Sequence, residues 1–120
     1  MLQSDPKCLA ALRGLAAQAT EKSDFEAALH FYEQLIELGE RSVDVLFNAA
    51  MLYERDGRLD EAAAYYRATL DQEPDMPEAL LNLGRVLEAT GRSDQALSCW
   101  SKALESDPEL AQGYFGPEME

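Results

Sequence analysis

Val43 to Met76 reads VDVLFNAAMLYERDGRLDEAAAYYRATLDQEPDM, and its neighbours on both sides repeat its pattern at a fixed distance of 34 residues. The stretch holds an apolar helical pattern, an Asp56-Gly57 break, a second apolar helical pattern and a stop at Glu73-Pro74. Moved forward by 34, Leu46 falls on Leu80, Ala50 on Gly84, Gly57 on Gly91, Ala62 on Ala96, Tyr66 on Trp100 and Pro74 on Pro108, with no gap. Moved backward, the same positions fall on Leu12, Ala16, Ser23, Ala28, Tyr32 and Glu40, a weaker match still in phase. A period of this length marks a solenoid, in which each unit buries its apolar face only by stacking on the next.

Within the period a large apolar residue comes fourth, a small one eighth, Gly fifteenth, Ala twentieth, an aromatic twenty-fourth and Pro thirty-second. This order resembles the tetratricopeptide repeat, and the resemblance covers about Leu9 to Leu110. It implies an all-α fold, a right-handed superhelical α-solenoid of three helix-turn-helix repeats at about 9–42, 43–76 and 77–110. Small residues at Ala50 and Ala62 let the two helices of a unit approach, while Tyr66 and Leu46 fill the space beside them. At 120 residues the chain has room for three units and short ends, so 1–120 reads as one domain with 111–120 a truncated C-terminal segment.

Composition narrows the function. Hydrophobic content of 47% and charged content of 28%, arranged periodically, fit an ordinary folded domain. The formal charge of −13 argues against nucleic acid, whose phosphates need a basic surface. No run of eighteen apolar residues exists, and MLQSDPKC at the start has no apolar core with a cleavage site, so no membrane span or export signal is expected. Cys8 and Cys99 lie nearly three repeats apart, too far for a disulfide, and two free thiols fit a cytoplasmic protein.

Local signals agree with the period. Asp5-Pro6 predicts a helix start, and the first helix is expected to run to about Glu21. Ser23-Asp24-Phe25-Glu26 reads as a capping box for a second helix ending near Leu38, where Gly39 stops it. Ser42 is placed to cap the next helix, Val43 to Arg55, and a fourth spans Leu59 to Gln72. Pro77 opens the third repeat. After Pro108 the pattern restarts as Glu109 to Phe115 and fails at Gly116-Pro117, which predicts an uncovered face on the last helix at Leu97, Trp100 and Leu104 unless residues Leu110 to Phe115 fold back over it. Self-association into a homo-oligomer through this C-terminal repeat is therefore expected.

Catalysis is not. There is no Gly-rich phosphate loop after a strand pattern, no Cys or His pair at metal spacing, and no nucleophile matched to the single histidine, His30. A lone His of this kind is ordinarily a surface or packing residue. No cofactor and no metal is implied.

The resemblance implies instead a concave groove lined by the first helix of each unit. Its positions here include Arg13, Ala17, Thr20 and Glu21, then Asp44, Phe47, Asn48, Met51, Glu54 and Arg55, then Glu78, Leu81, Asn82, Arg85 and Glu88. Three Arg against five acidic residues leave the groove at −2 of the total −13, so most acidity lies elsewhere. Co-chaperones of this family grip a C-terminal carboxylate with Lys, Arg and Asn. On those positions stand Arg13, Ala17, Asn48, Glu78 and Asn82, and Ala17 and Glu78 remove two of the donors. The Asn at the sixth position of two successive repeats resembles the asparagine ladder of superhelices that bind extended peptides.

The expected function is thus a non-catalytic protein-protein interaction module or scaffold whose partner is a protein or an extended peptide. Asn48 and Asn82 would read the peptide backbone; Phe47, Met51 and Leu81 would supply apolar contact; Arg13, Arg55 and Arg85 would attract acidic positions. The alternatives are a targeting or regulatory arm of a larger enzyme, and a self-assembling structural scaffold.

Overall fold

A computed structural model describes residues 6–109. It holds six helices: α1 (Pro6–Glu21), α2 (Phe25–Glu37), α3 (Val43–Arg55), α4 (Leu59–Gln72), α5 (Pro77–Ala89) and α6 (Ser93–Ser106). No strand occurs among the described residues. Consecutive helices pair as three hairpins, α1 with α2, α3 with α4 and α5 with α6, and each hairpin packs on the next through α2–α3 and α4–α5. The result is the α-solenoid that the 34-residue register predicts, with long dimension 52 Å and cross-section 27 × 26 Å. The restart expected at Glu109 to Phe115 lies, apart from Glu109, outside the described residues.

The size order of the period becomes the packing rule. The eighth and twentieth positions, Ala16 with Ala28 and Ala50 with Ala62, are fully buried, as is Ala96 opposite the buried Gly84. The aromatic at the twenty-fourth position fills the space they leave: Tyr32 and Tyr66 are buried, and the Trp100 indole lies over Gly84. Small residues bring the helix axes together, and one large ring per unit restores packing density.

The hairpin turns share one geometry. Gly57 and Gly91 adopt φ of 80° and 83°, and the next N–H reaches back to the last turn, Arg58 N to Tyr53 O at 2.9 Å and Arg92 N to Leu87 O at 2.8 Å. This is the left-handed helix stop that glycine suits. In the first repeat the slot belongs to Ser23 at φ 61°, with Asp24 N bonded to Ala19 O at 2.8 Å. The expected Ser23–Glu26 capping box does not form because Ser23 is used in this left-handed turn. Asp24 caps α2 instead, accepting from Ala27 N at 3.3 Å. Serine in a left-handed conformation is strained relative to glycine by about 1–2 kcal/mol, offset in part by glycine's freer unfolded chain. Ser23→Gly is therefore expected to raise stability by about 0.5–1 kcal/mol, read as a higher urea midpoint.

Two further expectations are corrected. Ser42 occupies the cap position of α3, but its hydroxyl does not bond the helix backbone; it donates to Asp44 Oδ1 at 2.7 Å. Trp100, expected on an uncovered face, is half-buried against its own hairpin, its indole covering Gly84 and its Nε1 pointing to Leu81 O at 3.4 Å. Leu97 and Leu104 are on that face, 59% and 45% exposed. Cys8 on α1 and Cys99 on α6 are separate thiols, the first exposed and the second half-buried. No described helix is long and apolar enough to cross a membrane.

Candidate functional site

The expected binding residues stand on the first helices, α1, α3 and α5, and their side chains meet different fates. Asn48, Met51 and Arg55 come together. They line a cleft of about 380 Å³ at the junction of the first and second repeats, with Thr20 from α1 and with Phe25 and Tyr32 from α2. Asn48 is half-buried and donates from Nδ2 to the Tyr32 hydroxyl at 3.2 Å. Asn82 is the residue at the same register position one repeat later, half-buried on α5. Asn48 is thus oriented by the aromatic sixteen residues before it, the same separation as that of Asn82 from Tyr66. An amide has two N–H donors and an acceptor oxygen, so one donor is engaged by the phenol.

The arginines are held by the protein itself. Arg13 on α1 reaches the α2–α3 turn, where it pairs with Glu40, donates to Asp44 Oδ2 at 3.0 Å and donates to Ser42 Oγ at 3.0 Å. The hydroxyl of Ser42 and this guanidinium hold the Asp44 carboxyl below its usual range. Arg85 meets Glu54 through Nε at 2.6 Å and Nη2 at 3.0 Å, a two-pronged ion pair from α5 to α3. Tyr66 joins it, its hydroxyl donating to Glu54 Oε1 at 2.9 Å. Burial first, then the Glu54 carboxylate, drive the Tyr66 phenol well above its ordinary value. Arg13 and Arg85, expected to attract acidic positions on a ligand, are therefore neutralised, Arg13 by Glu40 of its own repeat and Asp44 of the next, Arg85 by Glu54 of the preceding one. Arg55 is different: its guanidinium lies 3.9 Å above the centre of the Phe25 ring, a cation–π contact that leaves its edge available for hydrogen bonding.

The apolar residues divide as well. Met51 is exposed in the cleft. Phe47 is half-buried with its ring edge-on to Tyr66, centroids 5.8 Å apart, so it packs between helices. Leu81 is only 3% exposed, clustered with Leu80 and Ala103, and serves the core of the third repeat instead of presenting itself to a ligand. Thr20 is among the groove positions read from the sequence, whereas Tyr32 and Phe25 line the cleft without being singled out for it there. For Tyr32 a signal exists, the sixteen-residue step to Asn48 that Tyr66 and Asn82 repeat.

His30 is exposed beside Phe31, and among the described residues no group of three His, Cys, Asp or Glu is placed to hold a metal ion.

Comparison with known proteins agrees with this architecture. The chain is similar to Photosystem I assembly protein Ycf3 of Synechococcus sp. (strain WH7803), 37% identical over 67 residues; the match takes in 53% of this chain and 38% of that protein. Among solved structures it resembles MamA, with TM-score 0.75 and 24% identity over 87% of this chain and 61% of that one. It also resembles YrrB, described as a TPR protein with an unusual peptide-binding site, with TM-score 0.78 and 24% identity over 95% of this chain and 57% of that one. The chain thus spans less than two thirds of each of these relatives' own lengths. A family model, Tetratricopeptide repeat, matches residues 14–77 and again 47–111. With six helices in the same solenoid arrangement and the period legible in every hairpin, the chain belongs to the tetratricopeptide repeat family.

Proposed function

We propose that this chain is a non-catalytic module that holds an extended segment of a partner protein along α1, α3 and α5, with Asn48 and Asn82 pairing with the segment's backbone. The observation that supports this is Asn48, held by the Tyr32 hydroxyl at the edge of the cleft, with a second asparagine, Asn82, at the same register position one repeat on. A phenol that takes one amide N–H fixes the rotamer and leaves the second N–H and the carbonyl oxygen for a ligand. Amides one repeat apart then read a main chain and tolerate varied side chains. The module acts as one domain, in the cytoplasm, without nucleic acid or membrane as partner. A holding role during the assembly of a larger complex is in keeping with the name of the Ycf3 relative.

A peptide selected on the immobilised chain from a random display library provides the test. Each single change, Asn48→Ala or Asn82→Ala, is expected to cost about 1 kcal/mol, or about fivefold in affinity, and the double change about thirtyfold. Because Asn48 also satisfies the buried Tyr32 hydroxyl, the urea midpoint of Asn48→Ala should fall too, by no more than one hydrogen bond's worth, about 1 kcal/mol. Undiminished affinity in the double variant would remove both asparagines from the site.

A second reading, self-association, rests on Leu97 and Leu104 on one face of α6. The equivalent positions in the preceding repeat, Ala63 and Leu70, are buried and half-buried against the next hairpin. A concentration-dependent sedimentation coefficient that reverts in Leu97→Ser/Leu104→Ser is the expected result; a monomer throughout the submillimolar range counts against it.

A further inference from the structure

The two repeat junctions are built alike but filled differently. At the second, Glu54 and Arg85 cross from α3 to α5 as a two-pronged ion pair that Tyr66 completes. One repeat earlier the same two positions are Thr20 and Met51. Thr20 turns its hydroxyl back on its own helix, donating to Ala16 O at 2.8 Å, and Met51 remains 38% exposed. Among the described residues no ion pair bridges that gap, and the cleft of about 380 Å³ occupies it. Its floor is apolar, formed by Ala17, Phe25, Met51 and Leu52, with the Asn48 amide at one side. An exposed thioether beside an aromatic ring adapts to apolar side chains of different shape, and a concave apolar site with a few polar groups is what an anchoring side chain requires.

Charge selects what flanks that anchor. Arg13 and Arg85 are paired with carboxylates within the protein, and Arg55, the one cation among the described residues that line the cleft, lies over the Phe25 ring. Glu21, at the cleft, and Glu78 and Glu88, on α5, have no cation within ion-pair distance among the described residues. Around them the whole chain carries −13. A field of this sign speeds the approach of a basic segment and repels an acidic one.

We infer that the Thr20–Met51 cleft is an anchor site for one large apolar side chain, leucine or methionine in kind, in a partner segment whose flanking residues are lysine or arginine. This rests on the groove reading above and adds its specificity.

Three fluorescein-labelled nonapeptides test it by anisotropy: one with a central leucine between two lysines on each side, one with serine for the leucine, and one with glutamates for the lysines. The leucine–lysine peptide is expected to bind, and either exchange to weaken binding about tenfold or more. Thr20→Glu/Met51→Arg, which copies the second junction into the first, should abolish the preference for leucine over serine while the dependence on Asn48 and Asn82 persists. Met51→Ser, a change at an exposed position, should reduce the same preference and guards against misfolding of the double variant. Equal binding of the leucine and serine peptides, or a preference untouched by both cleft variants, overturns the anchor; if Asn48→Ala/Asn82→Ala still weakens both peptides, the groove reading stands without it. Absence of binding of the leucine–lysine peptide at millimolar concentration overturns the anchor and the groove together.

Discussion

Gly84→Ala is expected to lower stability by about 2 kcal/mol, although alanine is the better helix former by about 1 kcal/mol. A Cβ on Gly84 would stand 2.2 Å from Trp100 Nε1 and 2.6 Å from its Cδ1, distances that force the indole out of its seat. The indole is rigid, so it must move as a whole and loses contact with Leu81 and the α5 backbone. The rest of the chain supplies the control. In the first and second repeats the corresponding pairs are Ala16 with Tyr32 and Ala50 with Tyr66, all buried. Each unit therefore matches the size of its eighth residue to its ring. Gly84→Ala/Trp100→Tyr, which gives the third repeat the pair used by the second, should recover more than half of the loss. The double-mutant cycle then reports a coupling of about 1–2 kcal/mol. Urea unfolding of the four proteins is the measurement, and additive effects would mean that the two residues do not share the space.

Tyr66→Ala should be more damaging, about 3–5 kcal/mol, which for a domain of this size is a large part of its total stability. Tyr66 is fully buried, packs edge-on with Phe47, and ties α4 to Glu54 on α3, which in turn holds Arg85 on α5. Removing it opens a cavity where two repeats meet and leaves Glu54 with Arg85 alone. Tyr66→Phe separates the two contributions: it keeps the ring and should cost only about 1 kcal/mol. Burial also gives a pH signature. Tyr53 and Tyr66 keep their protons in the fold well above the ordinary phenol value of 10.0. Their contribution is complete below that value and is lost as pH rises above it, because the unfolded chain ionises first. The wild-type urea midpoint should fall above pH 10, and less steeply in Tyr66→Phe.

Much of the fold was legible because the period is written in residue size. Leu46 to Leu80, Gly57 to Gly91 and Tyr66 to Trp100 place helices and turns without any tertiary information, since each local signal agrees with the register. Ser23 shows where that reading falls short. A residue that looks like a cap was needed for a left-handed turn, which the register itself indicated by aligning it with Gly57 and Gly91. The candidate site was less legible. Groove positions follow from the register, but Arg13 with Asp44 and Arg85 with Glu54 pair across 31 residues through long exposed side chains. Such pairings depend on rotamers that no spacing encodes. Leu81 and Phe47 share a register position with Arg13, yet one is buried and one half-buried, because burial there depends on neighbours particular to each repeat.

The two cysteines give this molecule a spectroscopic ruler without any change of sequence. Cys8 lies exposed on the first helix, Cys99 half-buried on the last, and the body between them is 52 Å in its longest dimension. Burial also raises the pKa of the Cys99 thiol, so at neutral pH it presents less of the reactive thiolate. A first dye added briefly near neutrality labels Cys8, and a second added under mild alkali labels Cys99. Energy transfer between them reports the end-to-end length of the solenoid in solution. A repeat array is a spring whose pitch changes by a small rotation at every junction, so extension or compression on ligand binding becomes a distance read in real time from the native chain.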